Sequence, residues 1–167
     1  MLHRPSIELF LVGVLVLITM AGQALAASEQ EGDQAFEPHH HIAGILGYAF
    51  ERKRGKDEEA GAIGIDYGYR FSERWGAGGF IEALGDDVVR DVSLGLIANW
   101  HPAEGLALFA GPGFEFTEKD NEWLLRIGAG YDFHLQNGWV LGPKLTYDMI
   151  SGGKRTTILA LSLGKEF

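Results

Sequence analysis

The stretch GAIGIDYGYRF, Gly61 to Phe71, carries the decision about the fold. Every second residue is large and apolar or aromatic: Ile63, Ile65, Tyr67, Tyr69 and Phe71. Between them stand Ala62, Gly64, Asp66, Gly68 and Arg70, all small or charged. A period of two is the pattern of a β-strand, whose successive side chains point to opposite faces. One face of this strand is wholly greasy and the other is small or charged.

The pattern repeats outward in both directions. HIAGILGYAFE gives Ile42, Leu46, Tyr48 and Phe50 on the greasy parity. WGAGGFIEAL gives Trp75, Ala77, Ile81 and Ala83, opposite Gly76, Gly78, Phe80 and Glu82. VSLGLIANWH, LALFAGPGFEF, WLLRIGAGYDFH, WVLGPKLTYD and TILALSLGKEF continue it, making eight segments from His41 to Phe167. The breaks at 72–74, 102–105 and 135–138 are short and turn-like, whereas those at 52–59, 85–90, 117–122 and 149–154 read as longer or more charged. Short turns on one side and long loops on the other is the layout of a membrane barrel. Pro112 and Pro143 fall inside segments, where each removes a ladder donor and calls for a bulge or strand end.

Which face is outside follows from volume. An eight-stranded barrel has an interior just wide enough to fill with side chains. Eight strands of Leu, Ile, Trp and Tyr overfill it, while glycine and a few long charged residues fit. The greasy parity therefore faces outward, where only lipid solvates it. Phe71, Trp75, Trp100, Phe133 and Trp139 flank the short turns on that parity and form an aromatic girdle; Phe50, Phe116, Trp123 and Tyr147 form the opposite one. The fold class expected is all-β, an eight-stranded antiparallel up-and-down transmembrane β-barrel over residues 41–167. A β-sandwich fits less well, since its charged parity would lie in water and would not need so much glycine.

The inward parity carries Asp66, Arg70, Glu82, Glu115, Arg126, Asp132, Lys144, Asp148 and Glu166. Buried charges persist only when paired. Arg70, Arg126 and Lys144 do not suffice for six acids, so water or raised carboxylate pKa values are expected to make up the difference. The plain reading is a salt-bridged plug; the sharper one is a narrow polar pathway.

Composition agrees with export and a membrane. The 167 residues include 24 glycines, no cysteine and a formal charge of -9. The charge argues against nucleic acid, and the missing cysteines exclude disulfides, thiolate metal sites and a lipoprotein anchor. Residues 1–26 read as a signal peptide: Arg4, an uncharged run from Leu9 to Met20, then Ala24-Leu25-Ala26 as a small-x-small cleavage site. That run is too short to span a bilayer, which takes about 20 residues. Residues 27–40 read as a flexible lead-in.

Three constellations invite chemistry. His39, His40 and His41 suggest a metal, but consecutive strand residues alternate faces. His39 and His41 share one, and no third ligand of matching geometry is visible, so neither a metal nor a cofactor is expected. Ser93, Ser162, His101 and His134 lie on the inner face with acids, yet the histidines fall at the short-turn ends and no nucleophile motif exists; no enzyme is expected. ERKRGKDEE, Glu51 to Glu59, reads as a solvated tip that could touch anionic lipopolysaccharide.

With the signal segment, the eight alternating segments, YGYRFSERWGAGGFIE around the first turn, GYDF and the final Phe167, the chain resembles the small outer-membrane β-barrels of Gram-negative bacteria, the OmpA/OmpX/OmpW-like group. The resemblance implies an outer-membrane location, a monomer, and contact with outer-membrane lipids and lipopolysaccharide. It also implies that Phe167 is the tag read by the assembly machinery. It covers anchors, surface-interacting proteins and conduits for small hydrophobic molecules, and does not choose among them.

Overall fold

A computed structural model describes residues 36–53, 56–85, 89–118 and 121–167. The expected signal segment, and the lead-in up to residue 35, lie outside the described residues. Nine strands follow in chain order: β1 His39–Lys53, β2 Lys56–Arg70, β3 Trp75–Gly85, β4 Val89–Ala103, β5 Leu106–Phe116, β6 Asn121–Tyr131, β7 Phe133–His134, β8 Trp139–Ile150 and β9 Arg155–Glu166. Each pairs antiparallel with its neighbour. Both β6 and the two-residue β7 pair with β8, so they are one barrel strand in two pieces. β1 pairs with β9 from His41↔Glu166 to Arg52↔Arg155 and closes the sheet. The result is an eight-stranded up-and-down barrel without a free edge.

The faces sort by parity as volume requires. On the outside, Leu46, Leu96, Ile63 and Leu161 are 70%, 69%, 62% and 60% exposed, values that water would penalise and lipid does not. Facing in, Ala43, Ile45, Ala49, Ala62, Phe80, Leu84, Ile97, Phe109, Leu124 and Ile158 are buried alongside the charges. The interior is thus a mixed apolar and ionic packing rather than an ionic one. Leu106 departs from its parity: it lies at the rim and is covered by Ala103 and Tyr131.

The two strand prolines sit where the ladder is interrupted. Pairing of β4 with β5 skips Leu96 and Ile97 opposite Gly111 and Pro112. Pairing with β8 breaks between Gly130↔Lys144 and Phe133↔Leu141, opposite Gly142 and Pro143. Proline offers no N–H there, and none is missed. The preceding glycines matter equally. A Cβ on Gly111 would collide with the Leu96 carbonyl oxygen, and one on Gly142 with the Tyr131 carbonyl oxygen. Each Gly-Pro pair is a built-in irregularity: glycine admits the facing strand and proline ends the pairing.

The expected contrast of turn lengths is not what the strands show. The charged segment after Phe50 is paired strand: β1 and β2 run to Lys53↔Lys56, and Arg52 Nε donates to Asp57 Oδ1 at 2.8 Å. Past the apolar band the register sets Arg52 opposite Asp57, the opposite-charge pair among the charged positions there, and the ladder continues. The links 54–55 and 151–154 are as short as 71–74 and 135–138.

Candidate functional site

The lumen organises its charges in tiers. At mid-height Arg126 on β6 is 1% exposed and sits opposite Asp148 on β8. Its Nε and Nη2 donate to the two carboxylate oxygens of Asp148 at 2.8 and 2.7 Å, and Nη2 also donates to Glu82 Oε1 at 2.7 Å across the lumen. The guanidinium lies 3.8 Å from the Phe80 ring centroid. A bidentate carboxylate, a second carboxylate and an aromatic face are the partners a dry arginine needs. On the next tier Lys144 pairs with Asp66 and stands 4.6 Å from the Phe109 ring centroid. Phe109 fits because the facing residue is Gly128, whose absent Cβ would otherwise meet the ring.

The loop-side tier centres on Lys154, in the β8–β9 link. Its Nζ contacts Glu51 at 2.5 Å, Asp91 at 2.7 Å and Glu115 at 3.1 Å. Burial works against this ammonium, but the hydrogen bonds to Asp91 and Glu51 and the charge of Glu115 outweigh it, raising its pKa above the ordinary lysine range. The three carboxylates lie within 4.8 Å of one another, spacing that suits a cation, and the lysine is that cation. Neither Lys154 nor Glu51 figured among the sequence candidates, because both fell in stretches read as loops. Parity would have found them: Lys154 continues Thr156 and Ile158, and Glu51 continues Ala49. Lys154 is the fourth lumen cation that Arg70, Arg126 and Lys144 lacked, and it accounts for Glu115.

The fourth tier is the mouth at the end of the barrel where β1 begins and β9 ends. A cavity of about 100 Å³ is lined there by His39, His41, His101, Asp132, His134 and Glu166, among others. Arg70 lines it too; its guanidinium donates to the Glu73 carbonyl and lies 5.3 Å from the Phe36 ring centroid. Glu166 Oε1 is 3.6 Å from His39 Nε2 and 3.5 Å from His134 Nε2. The candidate triad does not assemble. Ser93 pairs with Glu82 at mid-barrel, far from His101 on the same strand. Ser162 lines the cavity, but its hydroxyl donates to the Gly142 carbonyl at 3.2 Å.

Outside the barrel, Phe71, Trp75, Trp100, Phe133 and Trp139 are between 41% and 51% exposed and ring the same end. Trp75 pairs with Trp100, and Lys165 Nζ lies 5.7 Å from the Trp139 ring centroid. Phe167 is fixed at the seam: its N–H donates to the His40 carbonyl at 2.9 Å and its carbonyl accepts from the His40 N–H at 2.8 Å. His40 points outward, stacks on Phe167 and Tyr69 and bonds the Tyr67 hydroxyl at 2.8 Å. It joins the girdle rather than the other histidines.

Closure, an apolar outer band and a packed interior of apolar and charged side chains together define the type. The fold is that of the small outer-membrane β-barrels. Neisserial surface protein A superposes with a TM-score of 0.62 at 10% identity, covering 79% of this chain and 100% of that one. The attachment invasion locus protein Ail of Yersinia pestis, solved with the heparin analogue sucrose octasulfate, gives 0.59 at 17% identity with the same coverage. The N-terminal β-barrel domain of Pseudomonas aeruginosa OprF gives 0.55 at 17%, covering 80% of this chain and all of that one. No protein-family model matches the sequence, and no curated protein sequence matches it either.

Proposed function

We propose that this protein is a non-enzymatic, integral outer-membrane barrel with a structural or surface-interacting role and a closed lumen. The observation that carries the reading is the packing of the Arg126 and Lys154 tiers. Arg126, Leu124, Glu115 and Asp148 are each 2% exposed or less, so neither water nor a solute file passes mid-barrel. The apolar outer band supports a lipid environment, and the fold's other members, outer-membrane proteins, support the choice of membrane. Outer-membrane lipids, lipopolysaccharide and the assembly machinery are the partners this reading implies, with the barrel as a monomer.

The test is reconstitution into planar bilayers and liposomes. We expect no conductance steps and no solute-dependent swelling from the wild-type barrel. Sustained conductance, or flux of small hydrophobic molecules, would overturn the closed-lumen reading in favour of a conduit. Recovery of the folded chain from the soluble periplasm, without heat-modifiable gel mobility, would overturn the membrane assignment.

A further inference from the structure

Two short stretches of the chain echo each other: Gly68-Tyr69-Arg70-Phe71 and Gly130-Tyr131-Asp132-Phe133. They differ at one position, arginine against aspartate. The first ends β2, and the second runs from β6 into β7. Round the closed sheet, β3, β4 and β5 separate β2 from β6 on one side, and β1, β9 and β8 on the other. The two stretches therefore stand on opposite walls, and Gly68, Arg70, Gly130 and Asp132 all line the cavity at the mouth.

Neither glycine is demanded by packing. A Cβ on Gly68 would meet nothing within 4 Å, and one on Gly130 would come no closer than 3.6 Å to the Pro143 carbonyl oxygen, an ordinary contact. Gly76 and Gly78, which face Arg70 and Gly68 from β3, are different, since a Cβ on either would press on the backbone of β2. Nor does Gly68 or Gly130 adopt positive φ. Glycine weakens a strand, and what these two leave behind is room. The cavity of about 100 Å³ compares with the roughly 10–15 Å³ that one water needs, so it suits a molecule of several heavy atoms.

The charges of the mouth pair off and leave one of each sign. Lys144 holds Asp66, and Glu166 is engaged by His134, with His39 beside it. Arg70 makes no ion pair among the described residues; its guanidinium donates to the Glu73 carbonyl, and its buried Nε–H has no acceptor. The Asp132 carboxylate has no hydrogen bond and no ion pair among them, and only its backbone N–H is engaged, by the Gly105 carbonyl.

We propose that this mouth binds a small free α-amino acid as its zwitterion, with the carboxylate on Arg70 and the ammonium on Asp132. An unpaired cation alone would favour an anion, and an unpaired carboxylate alone a cation. One of each on opposite walls of a single cavity favours a ligand that carries both. A guanidinium matches a planar carboxylate with parallel N–H donors, and an ionised carboxylate accepts from an ammonium. Buried Ile97 and Phe109 also line the cavity, so a short aliphatic side chain suits it.

The experiment is equilibrium dialysis of radiolabelled L-alanine against tag-free protein purified from membranes in detergent. We expect saturable binding of one equivalent. Propionate and ethylamine, each carrying one of the two charges, should compete about tenfold or more weakly than unlabelled alanine, since each forgoes a charged hydrogen-bonding partner. R70Q and D132N should each weaken binding by about the same factor. G68V fills the cavity and touches neither charge; it should abolish binding without lowering the urea unfolding midpoint, because valine suits a strand. R155Q, on the outer face at the far end of the barrel, should leave binding unchanged. Heat-modifiable mobility establishes that each variant is folded. No saturable binding by the wild type, competition by propionate or ethylamine as strong as by alanine, or binding that survives R70Q, D132N or G68V would overturn the site. A conducting barrel would leave this site standing, since it depends only on the mouth.

Discussion

Arg126 holds two carboxylates that make no other ion pair among the described residues, and this makes it the most sensitive residue of the interior. Arg126→Met retains much of the volume but leaves Glu82 and Asp148 buried and unpaired. Breaking such a pair costs about 3–5 kcal/mol, which urea unfolding in detergent should report as a lowered midpoint. Adding Glu82→Gln and Asp148→Asn to the same chain should recover most of the loss, because the neutral amides no longer repel. Lys154→Met poses the same problem to Glu51, Asp91 and Glu115, with a pH signature. Without the ammonium the three carboxylates repel one another while ionised, and protonation relieves that repulsion. The deficit is therefore greatest at neutral pH and shrinks on acidification. Unfolding midpoints of the variant and wild type should converge toward about pH 4, near the ordinary carboxylate range. A deficit constant from pH 7 to pH 4 would refute the charge argument.

At the scale of the strand, the two Gly-Pro pairs show how a barrel accommodates a residue that its ladders reject. Gly142→Ala should be costly although alanine is small and the position is extended. The new Cβ meets the Tyr131 carbonyl oxygen, and relief requires the backbone of β6 or β8 to move. Overpacking of this kind costs about 1–3 kcal/mol, measurable by the same unfolding series. Pro143→Ala, by contrast, adds no clash and should change the midpoint by less than Gly142→Ala does. The strands themselves were legible in the sequence, since parity alone separated Ile63, Ile65 and Tyr67 from Gly64, Asp66 and Gly68. The role of the prolines was not, because it depends on which residues of the neighbouring strands stand opposite. Lys154 was missed for a different reason. Charge in a sequence marks a loop by default, whereas the barrel wall continues past its apolar band and charged residues there still alternate in and out. The mouth was least legible of all: Glu166 meets His39 and His134 only once the barrel has closed.

For the whole molecule, the closed interior and the closed seam are separate achievements. The interior is tested by the absence of conductance. The seam joins β1 to β9, more than a hundred residues apart in sequence, and loop closure makes such pairing slow to form. Deleting Phe167 removes the last two backbone hydrogen bonds of this seam and the ring that stacks on His40. We expect less folded barrel in the membrane of cells expressing the truncated chain, read as a smaller heat-modifiable fraction than wild type.

The hydrogen-bonded pair of His40 and Phe167 has one more consequence. Residues at the two extremes of the described chain are neighbours in space, so the barrel is a ring that happens to be cut at this point. A circular permutant, joined from Phe167 to His39 by a short linker and opened between Gly152 and Gly153, keeps every strand ladder while moving the cut elsewhere. Both glycines lie in an exposed turn with positive φ, where new ends disturb little. Such a chain should refold in detergent as wild type does, yet it carries its aromatic terminus in the middle of the sequence. Comparing its yield in micelles with its yield in cells would separate what the barrel needs to be stable from what the cell needs to recognise it.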